Sequence, residues 1–85
     1  MIEILLFLGA LHCIPSSTIV YDATLDRPGR QEGRLVRVRT ADDGVRVHEL
    51  WHVCQWQERG EAQTAEEWSR REAEARTVEL MWRER

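Results

Sequence analysis

The sequence predicts an α+β fold in which a small β-sheet packs against helices, and three observations support this. Residues 18–25 are rich in β-branched side chains, and residues 34–40 alternate apolar and charged side chains as a half-buried strand does. The segment after Thr64 carries helix-capping residues and an apolar stripe of helical period. At 85 residues, 42% of them hydrophobic, the chain can build one core, so residues 1–85 are predicted to form a single domain.

The N-terminal segment, residues 2–11, is a nearly continuous apolar run and predicts a buried element. Periodicity does not separate helix from strand here, and we favour a helix packed behind the sheet. The run resembles a signal-peptide core, but Glu3 stands where a positive charge belongs, and a membrane span needs roughly 18 apolar residues. No membrane span is therefore predicted. Pro15 ends this element, and residues 27–33 are predicted to be a loop because they contain one proline and two glycines.

The predicted strand at residues 34–40 places Val36 and Val38 on one face and Arg37 and Arg39 on the other. Such a row of arginines is typical of the solvated face or the edge of a sheet. We expect this strand to lie at an edge, where it could align an extended peptide by strand addition.

The charge balance argues against a nucleic-acid binder. The chain contains twelve arginines and fifteen acidic residues, which gives a net charge of -3, so it lacks an excess of basic charge. The two cysteines, Cys13 and Cys54, could form one disulfide, but we expect both to be reduced and buried. The compartment stays open, with the cytoplasm favoured. A core this small often needs a metal or an oligomer contact, so a homo-oligomer or a protein partner also stays open.

The C-terminal segment predicts a well-capped helix. Thr64 and Glu67 form a Thr-x-x-Glu capping box. Four i,i+4 pairs support the helix: Glu66/Arg70, Glu67/Arg71, Glu72/Arg76 and Glu79/Arg83.

One face of this helix is apolar except for a single carboxylate. Trp68, Ala75 and Trp82 share the face, and Glu72 lies in its middle. We expect Trp68, Met81 and Trp82 to be among the side chains that the helix buries. A buried carboxylate needs a cation, and either a metal ion or Arg76 could supply it.

The segment from Val47 to Trp56 contains a His-Glu-x-x-His motif formed by His48, Glu49 and His52. In a strand the two imidazoles would stand about 13 Å apart and could not share an ion. In a helix they lie one turn apart on one face, with Glu49 positioned to act on a metal-activated water. We therefore predict a helix that begins near Asp42 or Asp43.

This motif resembles that of the HExxH zincins, and within them the gluzincins, in which a Glu from a second helix completes the zinc site. In thermolysin-like members nineteen residues separate the second His from that Glu, and the same gap after His52 leads to Glu72. Glu66, Glu67 and Glu74 remain alternative third ligands. The segment HELWHVCQWQERG, which Gly60 can end, is also similar to the active-site helix of short bacterial zincin-like domains. The resemblance covers about the last half of the chain.

The resemblance implies a minimal zincin-like domain, with the sheet packed on an active-site helix and a C-terminal helix, that acts as a zinc-dependent peptidase on a peptide or protein substrate. It implies His48, His52 and Glu72 as ligands of Zn²⁺. Glu49 would be the general base for the metal-activated water that attacks the peptide carbonyl.

The chain departs from the thermolysin-like pattern at two points. That pattern has an Asp four residues after the ligand Glu to orient a zinc histidine, and Arg76 stands there in this chain. It also uses a His or Tyr of a further domain to stabilise the oxyanion. Tyr21, His12 or one of the arginines is left for that role.

Two other functions are compatible with the sequence. One is a small non-enzymatic interaction or inhibitor module in which the motif is accidental or the metal purely structural. The other is a degenerate zincin that keeps the metal as a staple without turnover.

Overall fold

A computed structural model describes all 85 residues of the chain. Three helices and three strands follow one another in the order α1 Ile2–Ala10, β1 Thr18–Tyr21, β2 Gly29–Glu32, β3 Leu35–Val38, α2 Asp43–Arg59 and α3 Ala65–Glu84. The predicted α+β fold class is confirmed, and the apolar segment at the N-terminus is a helix as expected. The prediction that this segment is a buried element is wrong for most of it, because only Ile4 and Leu8 are buried, while Ile2, Leu5 and Leu6 are exposed. None of the three helices is both long enough and apolar enough to cross a membrane.

The sheet is mixed, and its strand order is β1-β3-β2. β1 runs parallel to β3, and β2 runs antiparallel to it. The prediction that residues 34–40 form an edge strand is therefore wrong, because β3 is hydrogen-bonded on both sides. The predicted inward face is confirmed, since Val36 and Val38 are fully buried. The alternation of side chains predicts which face of the strand is exposed to solvent, but it does not predict whether the strand is hydrogen-bonded to a neighbour on each side.

β2 lies where the sequence predicts a loop, and that prediction is wrong. Gly29 pairs with Val38 and Glu32 pairs with Leu35, so the segment is a regular antiparallel strand. Gly33 then adopts a positive φ of 58° and turns the chain into β3. A short polar edge strand lacks the apolar alternation by which strands are recognised.

α2 is a 17-residue helix at the centre of the molecule, as the metal-binding interpretation of the motif requires. Asp42 caps its start by accepting a hydrogen bond from the backbone N–H of Gly44, and Gly60 ends it with a φ of 71°. Both predicted ends are confirmed. The core around α2 contains nine buried apolar residues from four elements: Ile4, Leu8, Val36, Val38, Val47, Leu50, Val53, Val78 and Trp82.

α3 begins as predicted at Thr64, whose hydroxyl accepts a hydrogen bond from the N–H of Glu67. The carboxylate of Glu67 in turn accepts from the N–H of Gln63, one residue before the position that a capping box uses. The helix buries Ala75, Val78 and Trp82.

Two side chains of α3 that the sequence analysis expects to be buried lie in solvent. Trp68 is 56% exposed and Met81 is 45% exposed. The buried stripe of α3 is narrower than expected because two charged residues lie between its apolar positions. Arg71 is buried and donates to the backbone carbonyl of Gly60, and Glu72 contacts His48 of α2.

The expectation of two reduced cysteines is also wrong. Cys13 and Cys54 form a disulfide, and their Cα atoms are 6.1 Å apart. The bridge joins the segment after α1 to the last third of α2. Two cysteines 41 positions apart give no sequence signal of their proximity, which arises only because α1 packs against α2.

Candidate metal centre

Two histidines of α2 face one carboxylate of α3. The Nε2 atom of His48 lies 2.9 Å from Glu72 Oε1, and the Nε2 atom of His52 lies 2.9 Å from Glu72 Oε2. The two imidazole ring centroids are 5.0 Å apart. One potential ligand atom from each of the three residues lies within 4.8 Å of the other two. The residues predicted to hold a metal are therefore brought together in a candidate metal-binding group.

The other nitrogen of each ring is also engaged. His48 Nδ1 lies 2.9 Å from Glu79 Oε1, and His52 Nδ1 lies 2.8 Å from Gln55 Oε1. A carboxylate can only accept a hydrogen bond, so the Nδ1 atom of His48 is the donor. Glu79 thereby holds the ring of His48 from the side opposite Glu72.

The amide of Gln55 has one orientation that its neighbours allow. Its Nε2 atom donates to the backbone carbonyl of Arg71 and to the carboxylate of Glu74. Its oxygen must therefore face His52, and the Nδ1 atom of His52 donates to it. Gln55 is 2% exposed, so a mispaired amide here would be costly.

These hydrogen bonds match the requirements of a metal site. With a proton on each Nδ1, a neutral imidazole presents the lone pair of Nε2, and both lone pairs point towards Glu72. Without a cation, each ring would need a second proton, on Nε2, to donate a hydrogen bond to the carboxylate. Two charged rings with centroids 5.0 Å apart would then share one carboxylate. The arrangement therefore suits a bound cation.

Two carboxyl groups at the site have shifted pKa values. Burial opposes ionisation of Glu72, but His48 and His52, when their rings are protonated, outweigh it by their charge and hydrogen bonds and lower the pKa of Glu72. Burial raises the pKa of Glu49 to about 7; the nearby carboxylate of Glu72 adds to this effect and His52 opposes it. A carboxyl group with such a pKa can exchange a proton at neutral pH.

Glu49 lines the same cleft as the metal-binding group. The cleft has a volume of about 580 Å³ and lies between β2, α2 and α3. A Cβ atom at Gly29 of β2 would stand 2.8 Å from Cγ of Glu49, so only glycine allows the strand to lie this close to the helix. Arg27 and Arg30 flank this glycine and also line the cleft.

The alternative third ligands have other partners. Glu66 and Glu67 form ion pairs with arginines one turn later on α3. Glu74 accepts hydrogen bonds from Trp51, Gln55 and Arg59. The predicted ion pair between Glu72 and Arg76 does exist, but at 3.7 Å it is longer than both contacts of Glu72 with the histidines.

The candidates for oxyanion stabilisation are separated by their positions in the fold. Tyr21 lies on β1, at the edge of the sheet opposite β2, and is 67% exposed. His12 follows α1, and neither residue lines the cleft. Three arginines do: Arg27, Arg30 and Arg83.

Sequence reasoning missed Glu79 and Gln55, the partners of the two Nδ1 atoms. A signal for Glu79 was available, because it lies seven residues after Glu72 and hence on the same face of a helix. Gln55 lies three residues after His52, which is also a same-face spacing. Neither position can be assigned to a ring nitrogen until the packing of α2 on α3 is known.

The donor set of two imidazole nitrogens and one carboxylate suits Zn²⁺ and other divalent transition metals. A scan of protein-family models and searches of curated proteins and of solved structures found no match for the chain. The geometry gives a candidate metal centre with three potential ligands, and the Nδ1 atom of each histidine has its own hydrogen-bond partner.

Proposed function

We propose that the protein is a zinc-dependent hydrolase that cleaves peptide bonds. The observation that carries the proposal is the convergence of Nε2 of His48 and Nε2 of His52 on Glu72, with each Nδ1 atom held by its own acceptor. Sites with three protein ligands of this kind are typical of catalytic zinc, because one coordination position stays open.

The metal would be held by His48, His52 and Glu72. Bound Zn²⁺ supplies a Lewis acid that polarises a carbonyl oxygen and lowers the pKa of water towards neutrality. The remaining chemistry belongs to side chains that line the same cleft.

Glu49 is proposed as the general base. It accepts the proton of the water that attacks the peptide carbonyl and then passes that proton to the leaving amine. Its location supports this role, because Glu49 is 9% exposed and lines the same cleft as the two histidines and Glu72. Burial favours the protonated form of the carboxyl group, which helps it to hold the proton between the accepting and the donating step.

β2 is proposed to align the substrate in place of β3. It is an edge strand of the sheet, so its outer backbone groups are free to pair with an extended peptide. Gly29 and Gln31 of this strand line the cleft, which would bring the bound peptide across the metal-binding group.

Arg27 is proposed to stabilise the negative charge that develops on the carbonyl oxygen. Its side chain is 61% exposed, and its ion-pair partner, Asp26 at 3.5 Å, is itself 86% exposed, so the guanidinium is free to turn towards a ligand. Arg27 and Glu49 line the same cleft, and the charge of Arg27 lowers the pKa of Glu49 against the larger effect of burial.

The substitution Glu49→Gln tests the enzymatic function. It should reduce peptide cleavage by roughly 10² to 10⁴-fold while the zinc content stays unchanged. Glu58→Gln is the matched control, because Glu58 is exposed on the same helix and should be neutral in both assays. Cleavage that survives Glu49→Gln would exclude Glu49 as the base.

A non-enzymatic interaction module is the second candidate. The observation in its favour is the exposed apolar face of α1, where Ile2 is 73% and Leu6 is 69% exposed. Such a module would keep its partner when Glu49 is replaced by Gln and would cleave no peptide of a random library.

A further inference from the structure

A second cleft adjoins the cleft of the metal centre. It has a volume of about 380 Å³, and three residues, Gln31, His52 and Trp68, line both clefts. A peptide that lies along β2 across the first cleft can therefore place a neighbouring side chain in the second. The residues that line the second cleft indicate which side chain that is.

Two indole rings line the second cleft. Trp56 of α2 is half-buried, and Trp68 of α3 is 56% exposed, one helical turn before Glu72. A single exposed tryptophan needs no explanation by itself. Trp68 differs in that it lines both clefts and shares the second one with another tryptophan, Trp56.

The charges of the second cleft leave one carboxylate without an ion pair. Glu32 pairs with Arg30, and the buried guanidinium of Arg71 is compensated by Glu67. Glu61 lines the cleft, is exposed and has no such partner. Two indole side chains and an unpaired carboxylate in one cleft favour a cationic group, through cation–π contact and direct attraction.

We propose that this second cleft is a specificity site that binds the basic side chain, arginine or lysine, of a substrate residue close to the cleaved bond. Trp56 and Trp68 contact the cation through their ring faces, and Glu61 pairs with its charge. The inference rests on the proposed peptidase function for its biological meaning. The binding of the basic side chain itself does not require turnover.

The test uses the zinc-loaded Glu49→Gln variant, so that peptides bind without being cleaved. Pools of short fluorescent peptides of random sequence, with one position fixed as Arg, citrulline, Leu or Glu, are titrated by fluorescence anisotropy. The Arg pool should bind about 10-fold more tightly than the citrulline pool, which has the same shape without the charge. Trp68→Leu and Glu61→Gln should each reduce this preference, and Trp68→Phe should retain most of it.

Matched controls are Leu80→Ala and Glu58→Gln, which alter exposed residues that line neither cleft and should leave the preference intact. Equal or undetectable binding of the four pools, preference for the Leu pool, or a preference for Arg that survives Trp68→Leu would each overturn the proposal. A wild-type protein that cleaves no peptide while the variant still prefers the Arg pool would overturn the peptidase function but not the specificity site.

Discussion

Glu79 lies 2.9 Å from Nδ1 of His48, on the side of the imidazole opposite Glu72. The ring is thus held between two carboxylates of α3 that lie two helical turns apart. Glu72 would bind the metal together with Nε2 of the ring. Glu79 keeps the proton of the ring on Nδ1, so that the lone pair of Nε2 is available to the metal.

Removal of this orienting carboxylate should weaken metal binding. For Glu79→Ala we expect a zinc affinity about 10- to 100-fold lower, measured by competition with a chromophoric chelator. Glu79→Gln should restore part of the loss, because its amide oxygen can still accept from Nδ1. Glu84→Ala, at the exposed end of the same helix, is the control. Equal affinities for Glu79→Ala and wild type would show that the contact has no role in metal binding.

Gln55 should matter for folding as well as for the metal. Replacement by Leu removes the side-chain donor to the backbone carbonyl of buried Arg71 and leaves Nδ1 of His52 without its acceptor. We expect the metal-free protein to lose about 1–3 kcal/mol in its free energy of unfolding in urea. Gln57 lies on the same helix, but its side chain makes only exposed hydrogen bonds, to the backbone of Ile14 and Ser16. Gln57→Leu should therefore lower the free energy of unfolding by less. The expectation fails if both variants unfold at the same urea concentration.

The disulfide between Cys13 and Cys54 should stabilise the domain. Closure of a loop with a sequence separation of 41 removes conformational entropy from the unfolded chain. By the chain-entropy relation this is worth about 4 kcal/mol. The Cys13→Ala/Cys54→Ala double variant should therefore unfold at a clearly lower urea concentration than the oxidised wild type. Disulfides are typical of oxidising compartments and rare in the cytoplasm. The cytoplasmic location that the sequence analysis favours stays a prediction. A wild type whose midpoint is unchanged by a reducing agent would contradict the stabilising role.

Asp42 should make stability depend on pH in the acid range. Hydrogen bonds from Arg83 hold the pKa of the Asp42 carboxyl group in the folded state below its usual range. A lowered folded pKa means that the stabilisation is fully present above the unfolded pKa and is lost as pH falls through the folded value. Asp42→Asn keeps a residue that can cap α2 but loses the ion pair. Its free energy of unfolding should fall less than that of wild type between about pH 5 and pH 2, and parallel curves would refute the assignment.

The parts of the fold that local patterns determine could be predicted from the sequence. α2 could be predicted because the His-Glu-x-x-His motif forms a chelate only in a helix, and its ends because Asp42 and Gly60 are strong boundary residues. Glu72 stood out as a carboxylate on an apolar helix face, and the resemblance to the gluzincins, through the nineteen-residue gap after His52, implied it as the third ligand. Apart from that resemblance, these inferences depend on side-chain periodicity and on turn chemistry, which are encoded within a few residues.

The features that the sequence did not reveal depend on contacts between distant segments. β2 is a strand because it pairs with β3, although its own residues resemble a loop. Trp68 lies in solvent because the buried face of α3 begins at Arg71 rather than one turn earlier. The disulfide and the contact between Glu79 and His48 likewise require that the packing of α1 and α3 on α2 be known.

Metal content tests the central claim most directly. Wild-type protein purified without a chelator, analysed for zinc beside His48→Ala and Glu72→Ala, should contain one zinc ion per chain, and both variants should contain far less. Wild type without zinc, or Glu72→Ala with as much zinc as wild type, would contradict the claim that these three side chains form a metal centre.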